Sequence, residues 1–94
     1  MAAIARIVAL DTLRHVHAGQ TDLASALERG RARLSDERDQ ALAAEISLGT
    51  LRWRAALDHA IAWAGERRVD AFDDDVLDIL RLSAYQLLHL DRVP

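Results

Sequence analysis

Arginine is the residue type with most to offer a ligand in this chain. All twelve basic residues are arginine, and each guanidinium is a planar fork of donors that matches phosphate oxygens. Arg31, Arg33 and Arg38 gather around Ser35, a cluster able to hold two or three phosphates through charge-assisted hydrogen bonds. Arg52 and Arg54 flank Trp53, and an indole beside guanidiniums can stack a base while its neighbours hold backbone. Arg6 stands alone near the start. The competing reading of the first cluster is a solvated face balanced by Glu28, Asp36, Glu37 and Asp39, because charge runs mostly keep helices soluble.

Other chemistry is narrowly bounded. Cysteine is absent, which removes disulfides, thiolate metal sites and cysteine nucleophiles together. His15 and His17 project about 200° apart on a helix, and His59 and His89 have no paired ligand nearby in sequence. Asp73, Asp74 and Asp75 would fan out at a helix start without the oxygen-ligand spacing of a cation site. No metal site is expected. There is no glycine-rich phosphate loop and no nucleophile elbow, so no catalytic residue is assigned. The net charge of -3 argues against a strong nonspecific nucleic-acid binder, and any RNA contact should be local.

Helical geometry tempers the Trp53 motif. Trp53 falls on one line with Ile46 and Leu57, which predicts core packing for the indole. Arg52 and Arg54 diverge by about 160° and cannot close on one phosphate. Trp63 lies about 80° from Trp53 on the same wheel, and a place at a domain interface is an open alternative for it.

The elements that must carry these residues are helices. Ninety-four residues, 51% hydrophobic and 29% charged, suit one domain around one core. The one proline is the last residue, glycines number four, and no stretch alternates with the period of two that a half-buried strand needs. Four helices and no sheet are predicted. The first runs from about Ala2 to His17, closes at Gly19, and spreads apolar residues around much of its circumference. The second starts after Thr21 or Asp22 and passes through Leu23, Ala26, Leu27, Gly30 and Leu34. Ser35 and Asp36 cap a long third helix reaching Ala64, with a break at Gly49 and Thr50 as the alternative. Arg67 to Asp73 reads as a loop from which Val69 or Phe72 folds back. Asp73 to Asp75 open the last helix at the positive end of its dipole. Asp78, Arg81, Tyr85 and His89 form its polar line, and Val76, Leu77, Ile79, Leu80, Leu87 and Leu88 form the side expected to be buried. That helix is the candidate centre of the bundle. The stretch Met1 to Leu10 is interrupted by Arg6 and Asp11, too short and too charged for a signal peptide or membrane span, and a cytoplasmic location is expected.

Read in order, Ala5-Arg6 with Leu10, Leu13, Val16 and Gly19, then Asp39-Gln40-Ala41-Leu42-Ala43, then Leu48-Gly49-Thr50-Leu51-Arg52-Trp53 with Leu57-Asp58, and finally Ile79-Leu80-Arg81-Leu82-Ser83-Ala84-Tyr85-Gln86-Leu87-Leu88 before Asp91-Arg92-Val93-Pro94, resemble the N-terminal domain of the Fmu/Sun rRNA cytosine-5 methyltransferases. That domain is similar to the antitermination factor NusB. The resemblance implies an all-α, NusB-like bundle that binds rRNA ahead of a catalytic domain using S-adenosylmethionine and two cysteines. It also implies a chain that stops short of a further helix and of that domain. The N-terminal stretch departs from the arginine-rich run of NusB proteins, leaving Arg6 as the one match.

Three functions compete at this stage. The first is an accessory module that seats rRNA through Arg6, Arg31, Arg33, Arg38, Arg52 and Arg54. The second is a structural or protein-interaction domain packing on its own catalytic half. The third is a NusB-like transcription factor with a ribosomal protein partner. A core missing its last helix would expose Val76, Leu80 or Leu87 and form a weak homodimer.

Overall fold

A computed structural model describes residues 2–90. Five α-helices follow in order: α1 (Ala2–His17), α2 (Leu23–Ala32), α3 (Glu37–Arg52), α4 (Arg54–Gly65) and α5 (Asp74–Tyr85). A 3₁₀ turn, Val69–Ala71, links α4 to α5, and α5 runs on into a π-helical segment, Gln86–Leu90. The described residues contain no strand, as the all-α expectation required. They form two compact units, one ending at Leu48 and the other beginning at Gly49.

The first unit is built on α1, α2 and the front of α3. Ala5, Val8, Ala9, Thr12 and Leu13 are buried and span an arc of about 140° on the helical wheel. One wide face of α1 is therefore covered, Ile4 and Ile7 remain exposed, and Leu10, Asp11, Arg14 and His17 around the rest of the circumference are half-buried. Gly19 takes a positive φ of 71° just beyond the helix, the left-handed conformation that glycine adopts at no steric cost. Asp22 caps α2 by accepting the Ser25 N–H at 3.2 Å. Hydrogen bonding from the Ser25 hydroxyl, and then from this backbone N–H, holds its carboxyl below the ordinary aspartate range. The cap therefore contributes stability above that range and loses it as pH falls through the lowered value.

Close approach joins α1 to α2. A Cβ on Gly30 would lie 3.0 Å from both Val8 and Thr12, so a larger residue there would push the helices apart. Ala5, Val8, Leu34 and Ala43 form a buried cluster with Leu42 against it. Gln40 reaches back from α3 and donates through Nε2 to the Leu34 carbonyl at 2.7 Å, satisfying a backbone acceptor beyond the end of α2. Asp36 accepts the Arg38 N–H at 2.7 Å, as a cap before α3 should.

The expected continuous third helix is two helices. The break falls at Trp53, not at Gly49 or Thr50, with φ −98° and ψ 13°. Hydrogen bonds from Trp53 N–H to the Gly49 carbonyl and from Leu57 N–H to the Trp53 carbonyl flank the break, so one helix stops and the next restarts at this single residue. Gly49 serves another purpose: the Tyr85 ring occupies the space where a Cβ would stand. At the far end Glu66, not a glycine, takes the left-handed position that ends α4, with φ 53°.

In the second unit α4 and α5 pack antiparallel, since Asp58 early in α4 meets Arg81 late in α5 and Gly65 meets Phe72 at the other end. The polarity of α5 departs from expectation, although Leu77 is buried and Leu80 half-buried on the side expected to be so. Asp78, Arg81 and Tyr85 are buried, whereas Val76, Ile79, Leu87 and Leu88 are exposed. Arg81 explains the departure. Its Nε donates to Asp58 Oδ1 at 2.6 Å and its Nη2 to Oδ2 at 3.0 Å, with Asp78 3.7 Å away. A bidentate pair of this kind makes a buried guanidinium tolerable. Leu57, Ile61, Leu77 and Leu82 supply the apolar part of the same interior.

Removing one member of this pair is expected to cost far more than removing both. Asp58→Ala should lower the unfolding free energy by about 3–5 kcal/mol in urea titration, while Asp58→Leu with Arg81→Met should recover most of the loss. Gly49→Ala should cost about 1–3 kcal/mol because the Tyr85 ring must move; the same titration measures it, and a loss below about 0.5 kcal/mol would mean the ring is not seated there.

Candidate nucleic-acid interface

The six candidate arginines are all exposed and divide between the two units. Arg6 lies on α1, Arg31 on α2, Arg33 just after α2 and Arg38 in the first turn of α3. Arg52 closes α3 and Arg54 opens α4.

The first cluster is only partly a cluster. Arg33 bonds Asp11 of α1 at 2.8 Å, with the two side chains 49% and 35% exposed. It faces a depression of about 150 Å³ shared with Arg29, His15 and Asp11. Arg31 faces a separate depression with Glu37 and Gln40. Two residues apart at the end of a helix, these arginines point to opposite sides, and the structure does not bring them together. Arg29 is the partner that the sequence reading missed. Its spacing of four from Arg33 was the available signal, since residues at i and i+4 share a helix face.

The second motif is better organised than its sequence suggested. Trp53 is 44% exposed, which overturns the core assignment. The line through Ile46 and Leu57 assumed an unbroken helix, and the non-helical backbone at Trp53 takes the indole off that line. His89 stacks on it with centroids 4.8 Å apart and planes at 25°. The other partner of His89 is buried Tyr85, at 5.0 Å and 23°. Three rings thus form a pile anchored in the interior and ending at the surface. Neither Arg52 nor Arg54 makes an ion pair among the described residues.

Elsewhere, arginines have structural duties. Arg67 donates to the Ala71 carbonyl at 2.6 Å and lies 4.3 Å over the Phe72 ring, which holds Phe72 against the end of α4 as its folding back required. Arg68 pairs with Asp70 at 3.0 Å. Among the described residues no three His, Asp or Glu side chains converge on a metal-sized point, and no helix is long and apolar enough to cross a membrane.

Comparison with known proteins places this geometry. The profile of the NusB family matches residues 3–94. The chain belongs to the NusB family. Ribosomal RNA small subunit methyltransferase B of Pseudomonas putida is 34% identical to this NusB-family chain over 89 residues, 95% of the chain and 20% of that protein. Two Mycobacterium tuberculosis proteins, one from each of two strains and both named provisionally as methyltransferases, are 51% identical over 51 residues, 54% of the chain and 11% of each protein. The chain therefore spans between a tenth and a fifth of the length of these relatives. No solved structure gives a significant match.

One more surface belongs to this NusB-family fold. Ile61, Ala64, Phe72, Leu80, Ala84 and Leu87 help line an open apolar groove of about 470 Å³ between α4 and α5, beside the exposed Leu88. Trp63 is 80% exposed, so its surface position is settled.

An exposed Trp53 makes a sharp stability prediction. Trp53→Ala should cost less than about 1.5 kcal/mol by thermal or urea unfolding, against about 3–5 kcal/mol for a tryptophan truncated within a core. A core-sized loss would restore the sequence-based assignment.

Proposed function

We propose that this chain is an accessory RNA-binding domain that seats ribosomal RNA for cytosine-5 methylation by a catalytic domain joined to it. The observation that carries the reading is the 89-residue match to a small-subunit rRNA methyltransferase. Exposed Arg6, Arg31, Arg33, Arg38, Arg52 and Arg54 are its contact residues, positioning phosphates while leaving sequence choice to other groups. S-adenosylmethionine belongs to the catalytic domain. The described residues contain no strand, so they lack the strand, glycine loop and helix unit that holds such a nucleotide cofactor. Ribosomal RNA as substrate makes the cytoplasm the place of work.

Binding of the chain to a small-subunit rRNA hairpin and to a random RNA of equal length, across a salt series, tests this. The hairpin should bind at least about tenfold tighter, with a log–log salt slope of roughly −2 to −4 for a few phosphate contacts. Replacing Arg31, Arg33 and Arg38 by glutamine should flatten the slope. Absence of binding at low salt would sink the proposal.

The apolar groove favours a second role for the same domain, as a packing surface for its catalytic half. An open apolar face on a small chain marks an interaction site. Without that partner the same face would pair two copies weakly. Light scattering at high concentration should show a mass rising above the monomer, and a monomeric mass throughout would remove the dimer.

A further inference from the structure

We propose that Trp53, backed by His89 and flanked by Arg52 and Arg54, is a stacking site for one unpaired base of single-stranded RNA. The inference rests on the RNA-binding reading above and gives it a defined contact.

Stacking needs a rigid ring with an available face. A surface tryptophan normally has several rotamers, and fixing one costs entropy on binding. Here His89 covers one side of the indole at 4.8 Å, and Tyr85, 5% exposed, supports His89 in turn. Tyr85 is itself seated on Gly49. The ring is thus held from beneath before any ligand arrives, and with Trp53 still 44% exposed a base can extend the pile by one layer. Pre-organisation of this kind raises affinity by lowering the ordering cost.

The helix break sets the charges. Arg52 ends one helix and Arg54 starts the next, with Trp53 between them. Both arginines are exposed, and the phosphates on the two sides of one nucleotide call for a cation on each side of the stacked base. Aromatic stacking combined with backbone cations is how single strands are held with little sequence choice. The π-helical segment Gln86–Leu90 belongs to the same device, since such turns shift side chains off the α-helical line and recur at functional sites.

Net acidity does not oppose the site. The acidic run Asp73, Asp74 and Asp75 lies at the start of α5, about 18 Å along the axis from its end, and at physiological salt exposed charges farther apart than about 8 Å are largely screened. Asp58, the acidic residue of early α4, is engaged by Arg81.

The test uses the whole chain carrying Trp63→Phe, so that Trp53 alone fluoresces. A short uridine-rich single strand should quench that emission saturably, and the same strand annealed to its complement should not. Trp53→Ala should weaken single-strand binding roughly 10- to 100-fold with helicity unchanged, and Trp53→Phe should restore most of it. Replacing Arg52 and Arg54 by glutamine should reduce the salt slope by about one to two. Unchanged affinity in a folded Trp53→Ala chain, or equal quenching by the duplex, would overturn the stacking site while leaving RNA binding intact. No binding of any RNA at low salt would remove the RNA reading and this site together.

Discussion

Arg81 cannot sit inside the second unit unless its charge is answered there, and Asp58 answers it through both carboxylate oxygens. This pair fixes the rotation of α5 about its own axis. Once Arg81 faces α4, Leu77, Asp78 and Tyr85 share its side within about 60°, and Val76, Ile79 and Ser83 must point away. The desolvation of two charges is costly, and the return depends on direction and distance. That dependence makes the pair a specifier of geometry as much as a source of stability. From it follow the seating of Tyr85 on Gly49, the stack of His89 on Tyr85, and the place of Trp53 at the end of the stack.

The same rotation creates the exposed apolar side of the unit. Val76, Ile79 and Leu87 face outward because the polar stripe faces inward. An interior that spends its buried area on an ion pair leaves leucine side chains for other surfaces, here beside the groove between α4 and α5. The unit thus carries an apolar face and an exposed basic aromatic edge side by side.

Local chemistry was legible where one residue decides one conformation. Gly19 after α1, Asp22 before α2 and Asp36 before α3 all act at the positions their types announce, because a left-handed φ or a capping oxygen needs only its neighbours. The family was legible too, since runs such as Leu-Arg-Trp and Tyr-Gln-Leu-Leu taken together span the chain. The arginine cluster was misread in part. Nearness in sequence suggested a joint site for Arg31 and Arg33, whereas Asp11, from another helix, holds Arg33.

Helical propensity, caps and the absence of proline before the last residue determined an all-α chain, and motif order determined its family, because both depend on residues close in sequence or on their order. Which face of α5 is buried, and whether Trp53 is core or surface, depended on contacts between residues more than twenty positions apart. Hydrophobic periodicity ranks faces by transfer cost one residue at a time. It cannot count the attraction between Asp58 and Arg81, which exists only after α4 and α5 have met.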